Sequence, residues 1–279
     1  MKNKLIKVFQ RLLNKVFKHN LNSYLFLINA FFKIFSKGIK ANFDKENRCI
    51  YITEKDKDKK FYILIPGRAV GYFRGLNARF EGIATNYFLN KIELLRNDIV
   101  IDIGANIGEL YGFVSGKTDI NYFGFEPSKS EFKVLSLNAS GGTLFNQGCW
   151  NKNTTLDFYV ASESADSSFE KPSAKIEDVI TQEVTRLDSI FENEQIKFIK
   201  MDGEGCELEI LQGMENILSN IEFISVDAGY ERGINNECTF KDVSNYLYQH
   251  GFILNDFQST GRVLGLFRNS KKRDLAKMS

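Results

Sequence analysis

The sequence predicts an α/β chain: a doubly wound, Rossmann-like sheet with helices on both faces, preceded by an N-terminal helical extension. Three observations predict it. Residues 98–109 read as a buried strand, a glycine-rich turn and the start of a helix. Ile99, Val100, Ile101 and Ile103 there form the β-branched run of a central parallel strand. From Asp98 onward, short apolar runs alternate with helical patterns, as in successive βαβ units. Residues 1–43 carry nine Lys/Arg and no Asp or Glu, which sets them apart from the rest.

Composition narrows the class. With 279 residues, 43% of them hydrophobic, the chain can bury a full core as one large domain or one domain plus an extension. Beyond residue 43 stand 28 of the 37 basic residues and all 35 acidic ones, which argues against a nucleic-acid-binding core. Cys49, Cys149, Cys206 and Cys238 form no CxxC pair, and there are two histidines, so a zinc site is not expected. Free thiols fit a cytoplasmic setting.

In chain order, Leu5, Ile6, Val8, Phe9, Leu12, Leu13, Val16 and Phe17 recur at helical spacing, with Lys4, Lys7, Arg11, Lys15 and Lys18 on the other face. A second apolar stretch runs over residues 21–35. Between Lys18 and Lys33 lie fourteen uncharged residues, fewer than the about 20 that a spanning helix needs. Two readings stay open: a basic amphipathic helix resting on the inner face of an anionic membrane through residues 1–40, or a helix packed on protein with its lysines in water. Residues 49–53 and 61–65 predict two strands joined by a charged turn, and residues 85–95 a helix. Residues 66–82, with four glycines and Arg68, Arg74 and Arg79, predict a loop facing the site or solvent.

Further strands are expected at residues 122–126, 143–147, 155–160, 196–202 and 221–227. Helices are expected at 107–114, after Pro127, at 207–218 and at 240–250, and a closing hairpin at 252–254 with 263–267. Ser128 and Glu131 have capping-box spacing, and residues 161–182 predict an insertion loop. The resulting organisation is an extension (1–43), a hairpin and helix (44–97), the ligand-binding α/β domain (98–270) and a basic tail (271–279).

The glycine turn discriminates between ligands. A dinucleotide fingerprint starting at Gly104 needs glycine at 106 and glycine or alanine at 109, where Asn106 and Glu109 stand. Gly116-Lys117-Thr118 mimics the end of a phosphate loop, but Tyr111 holds the place of its first glycine. Glu109 would also repel a phosphate at the helix start. A cofactor with a positive centre and an amino-acid end suits the turn better. Asp102 at the strand end can attract an ammonium group, and the backbone of Gly104, Ala105, Asn106 and Gly108 is open to the rest. Glu126, 24 residues after Asp102 at the next strand end, can accept two ribose hydroxyls.

Four motifs carry a resemblance: Asp-Ile-Gly-Ala-Asn-Ile-Gly (102–108), Phe-Glu-Pro (125–127), Thr-Arg-Leu-Asp (185–188) and Ile-Lys-Met-Asp-Gly-Glu-Gly-Cys-Glu (199–207). Together they resemble the FkbM family of S-adenosylmethionine-dependent methyltransferases over residues 98–227. Gly203 stands where that family's block usually has valine. The resemblance implies a class I methyltransferase fold, S-adenosyl-L-methionine as cofactor, and O-methylation of a saccharide, glycolipid or glycosylated product in polysaccharide biosynthesis. A catalytically inactive, cofactor-binding accessory subunit is the alternative.

The cofactor site is then expected to comprise Asp102, Gly104, Ala105, Asn106, Gly108, Glu126 and Pro127, with Asn146, Gln147 and Gly148 near the adenine and Trp150 as a further candidate lining residue. Ser167 and Ser168 resemble family positions near the site. An alcohol needs a positioned base to become a nucleophile. Asp202 is the first candidate, Glu204 the second, with Lys200 and Asp227 beside them; Glu207 is read as merely favouring its helix start. Asp202, Asp227 and Asn235 or Asn236 could offer hard oxygen ligands, but no compact metal motif is present and no metal is expected.

Overall fold

The computed structural model describes residues 2–36, 38–55, 59–161, 167–173 and 175–273, the side chains of 2–7 and 273 excepted. Part of the charged turn, part of the 161–182 segment and the end of the basic tail lie outside that description.

Two helices open the chain, α1 (Lys2–His19) and α2 (Leu21–Phe35), the second capped by Asn20, whose side chain accepts from Ser23 N. Their inner faces are core: Leu13, Tyr24, Ile28 and Phe32 are fully buried, and Phe17 meets Tyr24 edge-on at 5.3 Å. They pack on a small antiparallel sheet of β1 (Ile39–Asp44), β2 (Cys49–Glu54) and β3 (Phe61–Ile63).

Residues 66–82 are not a loop. They form a 3-10 turn, Pro66–Tyr72, and most of α3 (Leu76–Asn86). The helix predicted over 85–95 is corrected accordingly: α3 ends at Asn86, and Phe88 takes left-handed φ (59°) before a short 3-10 turn. The apolar residues there were filling a corner rather than one helix face.

The main sheet follows the predicted order of elements. It contains β4 (Ile99–Ile103), β5 (Asn121–Phe125) and β6 (Thr143–Phe145), with α4 (Glu109–Val114) and α5 (Lys129–Asn138) between them. The 161–182 loop is corrected. After the two-residue β7 (Gly148–Cys149), β8 (Thr154–Ala161) pairs antiparallel with β9 (Ile176–Thr185) as a side sheet. Strand β10 (Ile196–Asp202), α6 (Glu207–Gln212) and β11 (Ile221–Asp227) continue the core. Then come the short β12 (Tyr230–Arg232) and β13 (Glu237–Cys238), α7 (Phe240–Gln249), and the hairpin of β14 (Phe252–Gln258) and β15 (Leu264–Asn269).

The seven-stranded sheet has the order β14-β15-β11-β10-β4-β5-β6. All neighbours from β6 to β11 run parallel, and β15 alone is reversed, antiparallel to both β11 and β14. This is the doubly wound arrangement that the resemblance implies. Side chains alternate across it. Val100, Phe198 and Tyr122 face the layer built by α1–α5, whereas Ile101, Ile199 and Met201 face α6 and α7. The strand order reverses between β4 and β10, so the crevice for a ligand lies beyond their C-terminal ends.

Candidate functional site

Register assembles the site. In the parallel pairing, Lys200 of β10 lies directly beside Asp102 of β4 and Ser225 of β11, and Asp202 lies beside Asp227. Lys200 is almost fully buried and spends all three protons: on Asp102 Oδ1 (2.8 Å), Ile103 O (3.1 Å) and Gly104 O (2.7 Å). The other Asp102 oxygen accepts from Tyr122 Oη at 2.7 Å. That reach depends on Gly124, whose missing Cβ would sit 3.1 Å from the Tyr122 ring. Burial pushes the Lys200 ammonium down, but Asp102 and Asp202 outweigh it and hold it above its usual range. Lys200 and Asp102 thus form a buried strut beneath the glycine turn, and the Asp102 charge is already matched.

The turn itself is shaped by close approach. Gly104 has φ +70°, and a Cβ there would stand 2.3 Å from the Asp202 carbonyl oxygen, so only glycine fits. Gly108, φ +86°, has a different use: it packs against Leu135, Asn138 and Ala139 and does not line the cavity, contrary to its expected cofactor role.

A cavity of about 360 Å³ opens over this turn, a volume usual for a small-molecule site. Of the residues singled out in the sequence, Asp102, Gly104, Ala105, Asn106, Glu126, Pro127, Gln147, Gly148, Ser167, Ser168, Lys200, Asp202 and Glu204 line it. Three further expectations are corrected. Asn146 turns away to donate to Glu126 O and Pro127 O, clamping the loop after β5. Trp150 packs on Phe169 at 5.9 Å outside the cavity. Asp227 is fully buried just behind the wall.

Glu126 is held on the cavity floor. One carboxylate oxygen accepts from Asn106 N (2.8 Å) and the other from Ser128 N (2.9 Å), so each keeps one acceptor position. Burial pushes its pKa up to about 8. Ser128 does not cap α5 with its hydroxyl, which donates to Glu131 instead.

Asp202 binds groups from two distant elements. Its Oδ2 accepts from Tyr87 Oη (2.5 Å) and Arg262 (3.1 Å), while Oδ1 is buried without a hydrogen bond. Burial raises its carboxyl, but Arg262 and Lys200 more than offset this and hold it below the usual range. Arg262 also contacts Asp227, whose pKa burial and the Asp202 charge push up to about 6. Glu231, raised by burial to about 8, completes the group. Among the described residues, Asp202, Asp227 and Glu231 bring carboxylate oxygens within 4.8 Å of one another, the set that could hold a hard cation. Arg262 already stands there as their counter-charge. Asn236, considered above as a ligand, instead accepts from Ser173.

Tyr87, Arg262 and Glu231 escaped the sequence reading. Tyr87 caps α3, Arg262 sits in a hairpin turn and Glu231 in a three-residue strand, so none lies on a periodic pattern. A signal existed for Arg262: Leu264, two residues on, pairs with Asp227 once β15 is placed beside β11. Glu109, read from the sequence only as an acid that would repel a phosphate, has a further role. It is clamped by Arg79 (2.7 and 2.8 Å) and by Tyr72, which fixes α3 over the cavity.

The 199–207 block folds as a tight turn, with Glu204 at φ +48° and Gly205 at +94°. Gly203 is filled from outside: a Cβ there would meet Ile210 Cδ1 at 2.7 Å, so Ile210 takes space a valine would use. Glu207 does more than favour a helix start. It is buried, accepts from Gly205 N (2.9 Å) and Thr239 Oγ1 (2.7 Å), and its pKa is pushed by burial up to about 7. The Thr185-Arg186-Leu187-Asp188 motif is structural: Arg186 pairs with Asp188, which Asn216 also binds.

Hexuronic acid methyltransferase AglP of Haloferax volcanii is 31% identical over 148 residues, 48% of this chain and 57% of that protein. The match therefore spans little more than half of that relative. Magnesium protoporphyrin IX methyltransferase from Synechocystis, solved with bound S-adenosylmethionine, superposes with a TM-score of 0.41 at 11% identity, covering 77% of this chain and 87% of that one. A putative rRNA methylase from Clostridium thermocellum gives 0.43 at 13% identity, covering 67% and 96%. The family model of the methyltransferase FkbM domain matches residues 102–254, more than half of the chain. The chain belongs to the methyltransferase FkbM family.

Proposed function

We propose that this FkbM-family protein uses S-adenosyl-L-methionine to methylate a hydroxyl of a saccharide or glycosylated product. One observation carries the reading: a single cavity is lined both by Glu126, with two acceptor positions left, and by the ionised Asp202. The relative from Haloferax volcanii, a hexuronic acid methyltransferase by name, supports a sugar acceptor.

The cavity residues fit the cofactor. Glu126 would accept the ribose hydroxyls, the backbone of Gly104, Ala105 and Asn106 would cradle the aminoacyl end, and Gln147 and Gly148 would border the adenine. The bound cofactor supplies an electrophilic methyl group. Asp202, ionised at neutral pH, takes the proton of the acceptor hydroxyl, while Tyr87 and Arg262 hold its carboxylate in place. Lys200 positions rather than titrates, because its protons are all committed. Glu204 shapes the cavity edge beside Asp202.

The test is transfer of isotopically labelled methyl from S-adenosylmethionine to a panel of mono- and oligosaccharides, hexuronates included, with the product located by mass spectrometry. Label on a sugar oxygen supports the reading. Cofactor binding with no transfer to any saccharide favours the accessory subunit instead.

Glu126 gives a pH signature. Its raised pKa means that it carries a proton below about 8, whereas the ribose hydroxyls need the anionic form as acceptor. Cofactor affinity should therefore rise with pH by up to about tenfold per unit, level off above pH 8, and release a proton on binding. Calorimetry in two buffers of different ionisation enthalpy reads this. The slope should vanish in Glu126→Gln; a slope unchanged by that variant would assign the titration elsewhere.

A further inference from the structure

We propose that the α1–α2 helical pair docks the protein on an anionic lipid surface through its outward face. The inner face is committed to the core, so whatever the pair binds must meet the side left over. That side is unusually apolar for a water-facing surface: Val8, Leu12, Phe26, Ile34 and Phe35 are all exposed, Phe26 and Ile34 at 74%. They make up five of the twelve exposed large apolar side chains among the described residues. Phe26, Ala30 and Ile34 recur at helical spacing opposite buried Tyr24, Ile28 and Phe32, so the outer stripe of α2 is continuous.

The charge around these side chains has one sign. Arg11, Lys15, Lys18, Lys33 and Lys40 are exposed, and the first acidic residue of the chain is Asp44. Among the described residues, none of Arg11, Lys15, Lys18 and Lys33 has an acidic partner. A second copy of this chain presenting the same face would set basic residues against basic residues. An acidic headgroup layer over an acyl boundary matches both the unpaired cations and the bare apolar side chains. No described helix is long and apolar enough to cross a membrane, so the contact is one of lying on the surface. The face is joined to the catalytic cavity by a short path: Asn14 of α1 accepts from Gly67 N at 2.6 Å, and the next residue, Arg68, lines the cavity.

The geometry also dictates the test. Removing residues 1–40 would strip Leu13, Tyr24, Ile28 and Phe32 from the core, so loss of binding by such a truncation says nothing. The full-length chain should be assayed by flotation with phosphatidylcholine vesicles with and without phosphatidylglycerol. We expect binding only where phosphatidylglycerol is present, weakened at high salt. Phe26→Ser with Ile34→Ser, and separately Lys15→Glu with Lys18→Glu, should each reduce it by about tenfold or more, with calorimetric binding of S-adenosylmethionine unchanged. No flotation of the unaltered chain, or equal flotation with neutral vesicles, would overturn the proposal. So would a dimer in solution that the Phe26→Ser, Ile34→Ser pair dissociates in the absence of lipid binding. Because lipid binding is read without methyl transfer, failure here leaves the acceptor reading untouched.

Discussion

Replacing Lys200 with methionine is expected to destabilise the fold by about 3–5 kcal/mol. The side chain lies between β10 and β4 with almost no solvent contact, and among the described residues its ammonium is the only cation paired with Asp102. Without it, a fully buried carboxylate keeps one neutral donor, Tyr122, and the carbonyls of Ile103 and Gly104 lose theirs. Urea unfolding measures the loss. Adding Asp102→Asn should recover much of it by removing the stranded charge, giving a large coupling energy in the double-mutant cycle. Equal midpoints for the Lys200→Met variant and the unaltered chain would sink the strut. Cofactor affinity should fall with the single variant, since the strut fixes the turn carbonyls from below.

Asp202→Asn should cut turnover by about 10² to 10⁴-fold while leaving cofactor affinity within a few-fold. Asparagine keeps the size of the side chain and an acceptor for Tyr87 or Arg262, but cannot take the acceptor proton. Turnover on the saccharide found by labelled transfer, set beside calorimetry with S-adenosylmethionine, separates the two effects. If turnover survives, proton removal belongs to another group. Glu231, which lines the same cavity and is raised by burial to about 8, is then the next to substitute.

Much of this was legible because period and punctuation agreed. Strands β10 and β11 match the predicted bounds residue for residue, since an unbroken apolar run ended by aspartate has one reading in a parallel sheet. The glycine turn and Glu126 were legible for a chemical reason: spacing tests removed the phosphate ligands and left an acid at each strand end. Residues 66–95 were not legible, because glycine and arginine density mimics a loop when the arginine is in fact paired. Arg79 looks solvated until α3 is laid against Glu109. Strand β9 was hidden by Glu177, Asp178 and Glu183, which stay exposed although β9 is the middle strand of the side sheet, between β7 and β8. The Asp202 partners were invisible for a topological reason. Tyr87 lies 115 residues away and Arg262 lies 60 away, and only the completed sheet brings them together.

That separation has a consequence for how the molecule is made. The carboxylate at position 202 draws on a helix end formed early in the chain, on two central strands and on the turn of the closing hairpin. Each of these closures spans a long loop, so the polar centre cannot be completed by any local folding unit. A nascent or partly unfolded chain can hold the glycine turn between β4 and α4 and still lack Arg262. Its Asp202 and Asp227 would then lie side by side without their cation, repelling one another. The C-terminal hairpin thus also brings in the cation that neutralises Asp202 and Asp227, so that the polar centre is whole only in the completed fold.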